Sequence, residues 1–541
     1  MRGINIRVTE KKKTIIEKIF NVYVNYFFVW IALVLFLSVS MLSLLITVRY
    51  PYYGAPGTSF TYTTESVAIT AIGAFIGLAF LVVLNITGVL DRVPAEKTIR
   101  YLAVYLLFAS VFWFVIANTW PDWDSRDLFD AAAQLGHRNS TLWAHGWYME
   151  RYPFQIPYTL FLKICLYVFG SNAYVAIEVI NSICIAATGY LLSKYTLLAF
   201  GNAAGNIAVI VNALFLPAIF YSTFAYGNPV SMPFAVAAML IQLLYFRKPQ
   251  KRKIACIAVL LTISILLKST MIVALFAMVI VWVVVSVKKR RIRDVVACVS
   301  VFVIYVLCSH GINYAVAQKY NVITDNGLSK IAWIAMGLRA NQYPVVPDMP
   351  GYYDAFVWKW YGDSYDPNRA IDDSKQSLQY TWDVFSSDPK YALEFMAKKL
   401  SIEWADPSYE SLLSSNFAAE GPQKPGIMSE RPMTPILRSI YYGKLNRFAW
   451  IEMDALQFLT FAGAAVLLYR RRCELTIEIM TPLITCLGIA FIYIFWEAKS
   501  QYIMPIAQFS IIYSSSGLYL LSLSISQKIK NKITKLNPIF N

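Results

Sequence analysis

Charge is what this chain has least of. Only 15% of its 541 residues are Asp, Glu, Lys or Arg, where a soluble protein carries nearer 25%, roughly. Histidine is rarer still: His137, His145 and His310 are the only three, too few for a His-rich metal site. The seven cysteines sit in or beside apolar runs, apart from Cys473, which follows a basic cluster. That placement excludes a disulfide framework, and their spacing fits no metal motif. There is no Gly-rich phosphate loop, zinc-type His/Glu pair or nucleophile elbow. A cytoplasmic nucleotide-sugar or ATP site is therefore not expected, and no cofactor is; a divalent metal has no evident ligands.

Long apolar runs fill the space that charge leaves. Hydrophobic residues make up 57% of the chain, and uncharged stretches of about 20 residues, each enough to cross a bilayer, recur along it. The first, from Val22 to Val48, follows Arg2, Arg7, Lys11, Lys12 and Lys13. It has no small-residue cleavage site and exceeds a signal-peptide core, so it is expected to remain as a span. The net charge of +16 does not mark a nucleic-acid binder. Its basic residues lie in short clusters between apolar runs, as the positive-inside rule requires, and anionic lipid headgroups are the secondary partner.

Twelve spans are expected, near 22–48, 66–90, 99–118, 173–193, 204–222, 230–246, 254–268, 271–287, 294–312, 448–468, 478–495 and 503–521. The apolar piece 156–169 is too short and contains Lys163. Counting it as a span would move the clusters at Arg247–Lys253, Lys288–Arg293, Arg470–Arg472 and Lys528–Lys535 outside. The charge rule rejects that. Segment 156–169 then lies in the interface of the outer face. The expected fold is an all-α polytopic membrane protein of the cell membrane, with both termini cytoplasmic. Its parts are three N-terminal spans (1–118), an external loop carrying the interfacial helix (119–172), central spans (173–312), a mostly helical external lid (313–447), and three C-terminal spans with a basic tail (448–541).

Under that topology the unusual polar residues open to one side. The first loop begins Trp120-Pro-Asp-Trp-Asp-Ser-Arg-Asp127. Ser125 or Asp124 can cap a helix through Leu135, and Asp124, Asp127 and Asp130 lean to one side of it. A carboxylate at the lip of a low-dielectric cavity is a candidate base; a solvated helix start is the competing reading. Tyr148, Glu150, Arg151, Tyr152 and Gln155 suit an amphipathic ligand or an aromatic belt. Lys268 interrupts two apolar runs. A cation there costs about 2.5–3.5 kcal/mol at mid-span, so it calls for a ligand phosphate, a partner carboxylate or a snorkelling path. The turns Tyr221–Pro229 and Trp496–Tyr502, the latter holding Glu497, Lys499, Gln501 and Tyr502, are similarly polar. In the lid, Asp388-Pro389 starts a helix toward Trp404.

The order of these features resembles the bacterial polytopic glycosyltransferases of family 39 and their C-type relatives, the protein mannosyltransferase-like enzymes that use polyprenyl-phosphate sugars. The likeness runs from Trp120 to Ser522. It rests on Asp124-Ser-Arg-Asp-Leu-Phe-Asp, Tyr148…Tyr152-Pro-Phe-Gln155, Phe169-Gly170, Tyr226-Gly-Asn, Lys268, Trp333 to Leu338, a Lys-x(5)-Trp-x-Asp/Pro segment, and Glu497…Gln501-Tyr502. It departs at Phe154, where an Asn is usual, and in carrying two extra N-terminal spans. The resemblance implies a lipid-linked donor entering from the outer leaflet and Asp124 as base, with Asp122 its competitor. It also implies Arg151, Tyr152, Lys268 and Tyr148 near the donor phosphate, and Gln155, Tyr226, Glu497, Gln501 and Tyr502 near the substrate. The acceptor would be a glycan, lipid or protein of the envelope, and nucleic acid would not be a partner. Two other classes compete. A polysaccharide polymerase or ligase leans on external Arg rather than an Asp-rich loop. A transporter requires inverted repeats and mid-span acids, which are scarce here.

Overall fold

The computed structural model describes residues 25–49, 61–63, 67–117, 121, 123–137, 140–289, 292–325, 327–340, 349–412 and 434–536. They form a helical membrane bundle, as the apolar runs require. The N-terminal part holds α1 (Asn25–Leu45), α2 (Val67–Ile86) and α3 (Ala95–Ala117). The first loop holds α4 (Trp123–Gln134) and α5 (Ile156–Phe169). The centre is α6 (Ala173–Phe200), α7 (Asn202–Leu214), α8 (Gly227–Arg247), α9 (Lys251–Leu267), α10 (Ile272–Lys289) and α11 (Ile292–Tyr320). The lid carries α12 (Lys330–Leu338), α13 (Pro367–Ser387), α14 (Pro389–Trp404) and α15 (Pro435–Tyr442). The chain closes with α16 (Lys444–Arg471), α17 (Thr481–Phe495) and α18 (Met504–Leu536).

Nine described helical stretches are long and apolar enough to cross a membrane, and a tenth forms if α7 is joined to Leu216–Thr223 across a 51° bend. Helices α9 and α17, of 17 and 15 residues, fill the remaining expected positions. The bend falls where the sequence reading expects one unbroken span at 204–222. Its cause is Pro217, which enters the second piece near its first position, where a missing N–H does no harm but a continuous helix could not form. Helix α11 also runs past the expected boundary at 312, to Tyr320.

Helix α5 has 14 residues, about 21 Å at helical rise and short of a hydrocarbon core of about 30 Å. It packs on α4 and α6 and leaves Ile164, Tyr167 and Val168 at 61%, 90% and 60% exposure. Gly170, with φ of 55°, breaks the apolar run Pro153–Phe200 and ends α5. The all-α expectation meets one described exception. Thr47–Arg49 (β1) pairs antiparallel with Thr61–Thr63 (β2), Val48 opposite Tyr62. Val48 N donates to Ala405 O at 2.8 Å and Thr47 Oγ1 to Asp454 Oδ1 at 3.0 Å. The loop after the first span is thus fastened to the lid and to α16.

In the lid, Asp388 caps α14 as expected, accepting from Tyr391 N at 3.0 Å, with Pro389 at the first helical position. The alternating run of helices brings the starts of α6, α8, α10, α16 and α18 to the same end as the lid. The basic residues Lys251–Lys253, Lys288, Arg470–Arg472, Lys528, Lys530 and Lys532 fall at the other end of those helices.

Candidate active site

Asp124 lies in the first turn of α4, not before it. The helix begins at Trp123, so neither Asp124 nor Ser125 is its cap. An acid in the first turn is stabilised by the helix dipole. Asp122 lies outside the described residues. Further along, Asp130 pairs with Arg126 Nε at 3.3 Å, both side chains about two-fifths exposed. Asp124 is half-buried and makes no hydrogen bond or ion pair among the described residues. Its charge acts on Tyr148, Tyr152, Lys499 and Tyr502 and on Lys268 and Tyr226.

Lys268 caps the end of α9. Its ammonium sits 4.2 Å from the ring centre of Tyr226 and 5.5 Å from that of Tyr502. Ring faces attract a cation, but among the described residues no carboxylate or hydrogen-bond acceptor reaches it. Close approach of two helix ends builds this corner. Gly227, opening α8, lies so near α9 that a Cβ there would stand 2.0 Å from Leu267 O. Gly227→Ala is expected to destabilise the protein by about 1–3 kcal/mol through overpacking. A thermal melt of the purified protein checks it; an unchanged midpoint would contradict the contact.

The segment from Tyr148 to Gln155 splits by task. Glu150 is buried and accepts from Gly146 N at 2.6 Å and faces His145 Nδ1 at 3.0 Å, so it braces its own loop. Arg151 is fully enclosed: it lies 3.6 Å over the Tyr361 ring and donates to Val357 O at 3.3 Å. Its Nε and Nη1 have no partner among the described residues. Arg151 therefore joins the loop to the lid. Tyr148 and Tyr152 pack edge to face at 4.9 Å, and Tyr152 leans on Trp333 at 5.7 Å. Burial raises both phenols well above the usual tyrosine range; the Asp124 charge adds to it at both, and Arg151 opposes it at Tyr152. They stay protonated and act as donors. Gln155 Nε2 donates to Tyr226 OH at 2.6 Å, which links the loop to Lys268.

The turn after α17 completes the cluster. Glu497 is 1% exposed; Lys499 Nζ stands 2.9 Å from its Oε1 and Tyr502 OH donates to its Oε2 at 3.1 Å. Burial opposes the Lys499 charge, but Glu497 and other carboxylates outweigh it and raise the ammonium well above the ordinary lysine range. Lys499 also sits 5.3 and 5.6 Å from the rings of Tyr352 and Tyr353. Gln501 is buried, its backbone carbonyl facing Asn228 Nδ2 at 3.5 Å.

The structure thus gathers Asp124, Tyr148, Tyr152, Gln155, Tyr226, Lys268, Glu497, Gln501 and Tyr502 at one end of the bundle, with Arg151 set back in the lid. Sequence reasoning gave no role to Lys499, Tyr352 or Tyr353. A lysine in a turn between two apolar helices was the available sign of the first; Gly351-Tyr-Tyr-Asp354 offered little for the others. With Glu497 ion-paired to Lys499, Asp124 and Lys268 remain an acid and a cation without ion partners among the described residues. Charges in such places are ordinarily paired, and unpaired ones in a cleft mark functional sites. Among the described residues no group of three or more His, Cys, Asp or Glu could hold a metal ion.

A many-spanned helical bundle that sets a carboxylate against lysines and protonated tyrosines at one end has the means to act on an anionic amphipath. Residues 153–312 match the family model of the dolichyl-phosphate-mannose-protein mannosyltransferases. The match spans α5 and the central helices and supports the resemblance to C-type glycosyltransferases that use lipid-linked donors. No curated protein matches the chain. Among solved structures, it is similar to the archaeal oligosaccharyltransferase AglB from Archaeoglobus fulgidus in complex with an inhibitory peptide and a dolichol-phosphate. The TM-score is 0.40 at 15% identity, over 81% of this chain and 52% of that one. The Archaeoglobus fulgidus oligosaccharyltransferase in complex with Zn and sulfate gives 0.40 at 14%, over 80% and 51%. The chain spans about half the length of these proteins. The family match, not the structural likeness, supports the class.

Proposed function

We propose that this chain is an integral membrane glycosyltransferase that moves a sugar from a polyprenyl-phosphate donor to a cell-envelope acceptor at the outer face. The observation that carries the reading is the unpaired Asp124 carboxylate set against Lys268, within a segment adjoining the matched family region. Asp124 takes the proton of an acceptor hydroxyl as its oxygen attacks the anomeric carbon. The bond from that carbon to the phosphate oxygen breaks, and polyprenyl phosphate leaves with the electron pair. Its phosphate gains negative charge as it departs. Lys268 and the protonated Tyr148 and Tyr152 meet that growing charge, the electrostatic role that contributes most in such sites. Glu497, Gln501, Tyr502, Gln155 and Tyr226 are assigned to the sugar's hydroxyls. The outer-face assignment is supported by the basic clusters at the end opposite the site.

Mass spectrometry of envelope lipids and glycans from a strain lacking the chain tests this. One polyprenyl-phosphate sugar should accumulate, and one envelope component should lose that sugar. Unchanged donor and acceptor pools would sink the reading. A label fused after Lys535 should be reachable from the cytoplasm alone.

A second group, in the lid, sets a pH dependence of stability. Burial raises the Glu403 carboxyl from 4.5 to about 7, beyond what its partner Lys399 offsets. Lys399 Nζ lies 3.0 Å from Glu403 Oε1, both side chains enclosed. Folding thus makes Glu403 hold its proton more tightly. Its stabilising contribution is full below about pH 4.5 and is lost as pH rises through about 7, on the order of 3 kcal/mol in all. The melting temperature should fall across that window, and Glu403→Gln should flatten the fall. An identical slope in both proteins would refute the assignment.

A further inference from the structure

We propose that Lys399 and Asp406 are positioning residues of the active site: they grip the turn Trp496–Ser500 at its two ends and hold Glu497 and Lys499 in place between them. The proposal rests on the glycosyltransferase reading for what those two residues do, and on geometry for how they are held. At the first end, the Lys399 ammonium, fully enclosed, donates to Trp496 O as well as to Glu403. At the other, Ser500 Oγ donates to Asp406 Oδ2 at 2.6 Å. Asp406 is itself fully enclosed and fixed by Ser408 N at 2.9 Å, Ser408 Oγ at 2.6 Å and Glu410 N at 2.9 Å.

The middle of the turn is held too. Ala498 N donates to Gly351 O at 2.6 Å. Ala498 packs with Val48, Met349, Ile402 and Ala405 in one small apolar cluster. Gly337 lets α12 touch the turn's backbone: a Cβ there would stand 2.3 Å from Trp496 O. Trp496 stacks on Trp333 at 5.8 Å, the rings 9° from parallel. Neither Lys399 nor Asp406 is among the residues gathered around Lys268. Both belong to α14 and the segment just after it, so the lid acts on the site through this turn.

A buried lysine and carboxylate are costly to desolvate, and replacing such a pair with uncharged residues of similar size is often neutral for stability. Stability alone does not call for this pair, and its hydrogen bond to Trp496 O reaches the turn of the site. Misplacing a catalytic constellation by about 1 Å can cost on the order of 100-fold in rate.

Two variants of the full-length protein in lipid nanodiscs test the proposal: the double change Lys399→Met with Glu403→Gln, which leaves no unpaired charge, and the milder Ser500→Ala. Hydrogen exchange of the 496–502 backbone and transfer kinetics with a polyprenyl-phosphate sugar are read together. We expect exchange to quicken at least about 10-fold, and kcat to fall about 10- to 100-fold with a smaller change in donor KM, while the melting temperature moves little in Ser500→Ala. Unchanged exchange in both folded variants overturns the grip, whatever the activity. Faster exchange with unaltered kcat and KM overturns the link to catalysis. If the unmodified protein transfers no sugar from any polyprenyl-phosphate donor, the function reading fails, and the exchange arm still decides the grip.

Discussion

Asp124→Asn is expected to lower sugar transfer about 100- to 10,000-fold, the range a positioned general base contributes, while insertion and melting temperature stay as they were. The size follows from isolation. Asp124 bonds to no described residue, so an amide of the same shape leaves no donor or acceptor stranded, and the lost rate reports the proton transfer. Asparagine keeps the contacts of the first turn of α4 and removes the negative charge that faces Lys268 and Lys499. Transfer by the purified protein, measured at saturating donor, is the check. Full activity in Asp124→Asn together with loss in Asp122→Asn would move the base two residues upstream. Activity in both would end the base-catalysed scheme.

Lys268→Met is the second large effect, a loss of about 100- to 1,000-fold in kcat/KM, comparable to removing a preorganised oxyanion donor. Methionine keeps the length of the side chain against Tyr226 and Tyr502, so packing is nearly conserved. The proposed donor is a phosphodiester with one negative charge, and the leaving polyprenyl phosphate would carry more. A cation opposite it is therefore worth more in the transition state than in the bound donor, and kcat should fall further than KM rises. An equal-sized change confined to KM would assign Lys268 to donor binding alone. No change at all would return it to the bland reading of a snorkelling lysine.

Much of the architecture was legible because hydrocarbon imposes a simple rule: apolar length and basic flanks. Among the described residues each expected span holds a helix, one of them broken at Pro217, and α5 is short. The break after Leu214 was less legible, since Pro217 sits inside an apolar run whose hydropathy does not register geometry. The site was legible where a polar residue stood out against an apolar background, as with Lys268 and Glu497. Lys499 stood out equally, but its value depends on the distance to Glu497 and to tyrosines from position 352, which sequence spacing does not contain. Arg151 shows the converse. The resemblance put it near the donor phosphate, and Tyr361 and Val357, about 200 positions away, enclose it. Lys399 looked like an ordinary residue of an external helix, and Asp406 entered only through the Lys-x(5)-Trp-x-Asp/Pro segment, because the turn they hold lies about 100 positions on.

The strand Thr47–Arg49 has a consequence for how the chain comes to be finished. Thr47 bonds to Asp454, 407 residues later. At a synthesis rate of about 5–20 residues per second, that partner emerges roughly 20–80 s after the strand does. Through most of that interval the strand pairs with β2 while its contacts to Ala405 and Asp454 are still to be made. The contacts that join this early segment to α16 are then made late, and so is the site, whose turn Trp496–Tyr502 follows α16. A chain stalled before α16 would be fully inserted at its first spans and still without a closed site.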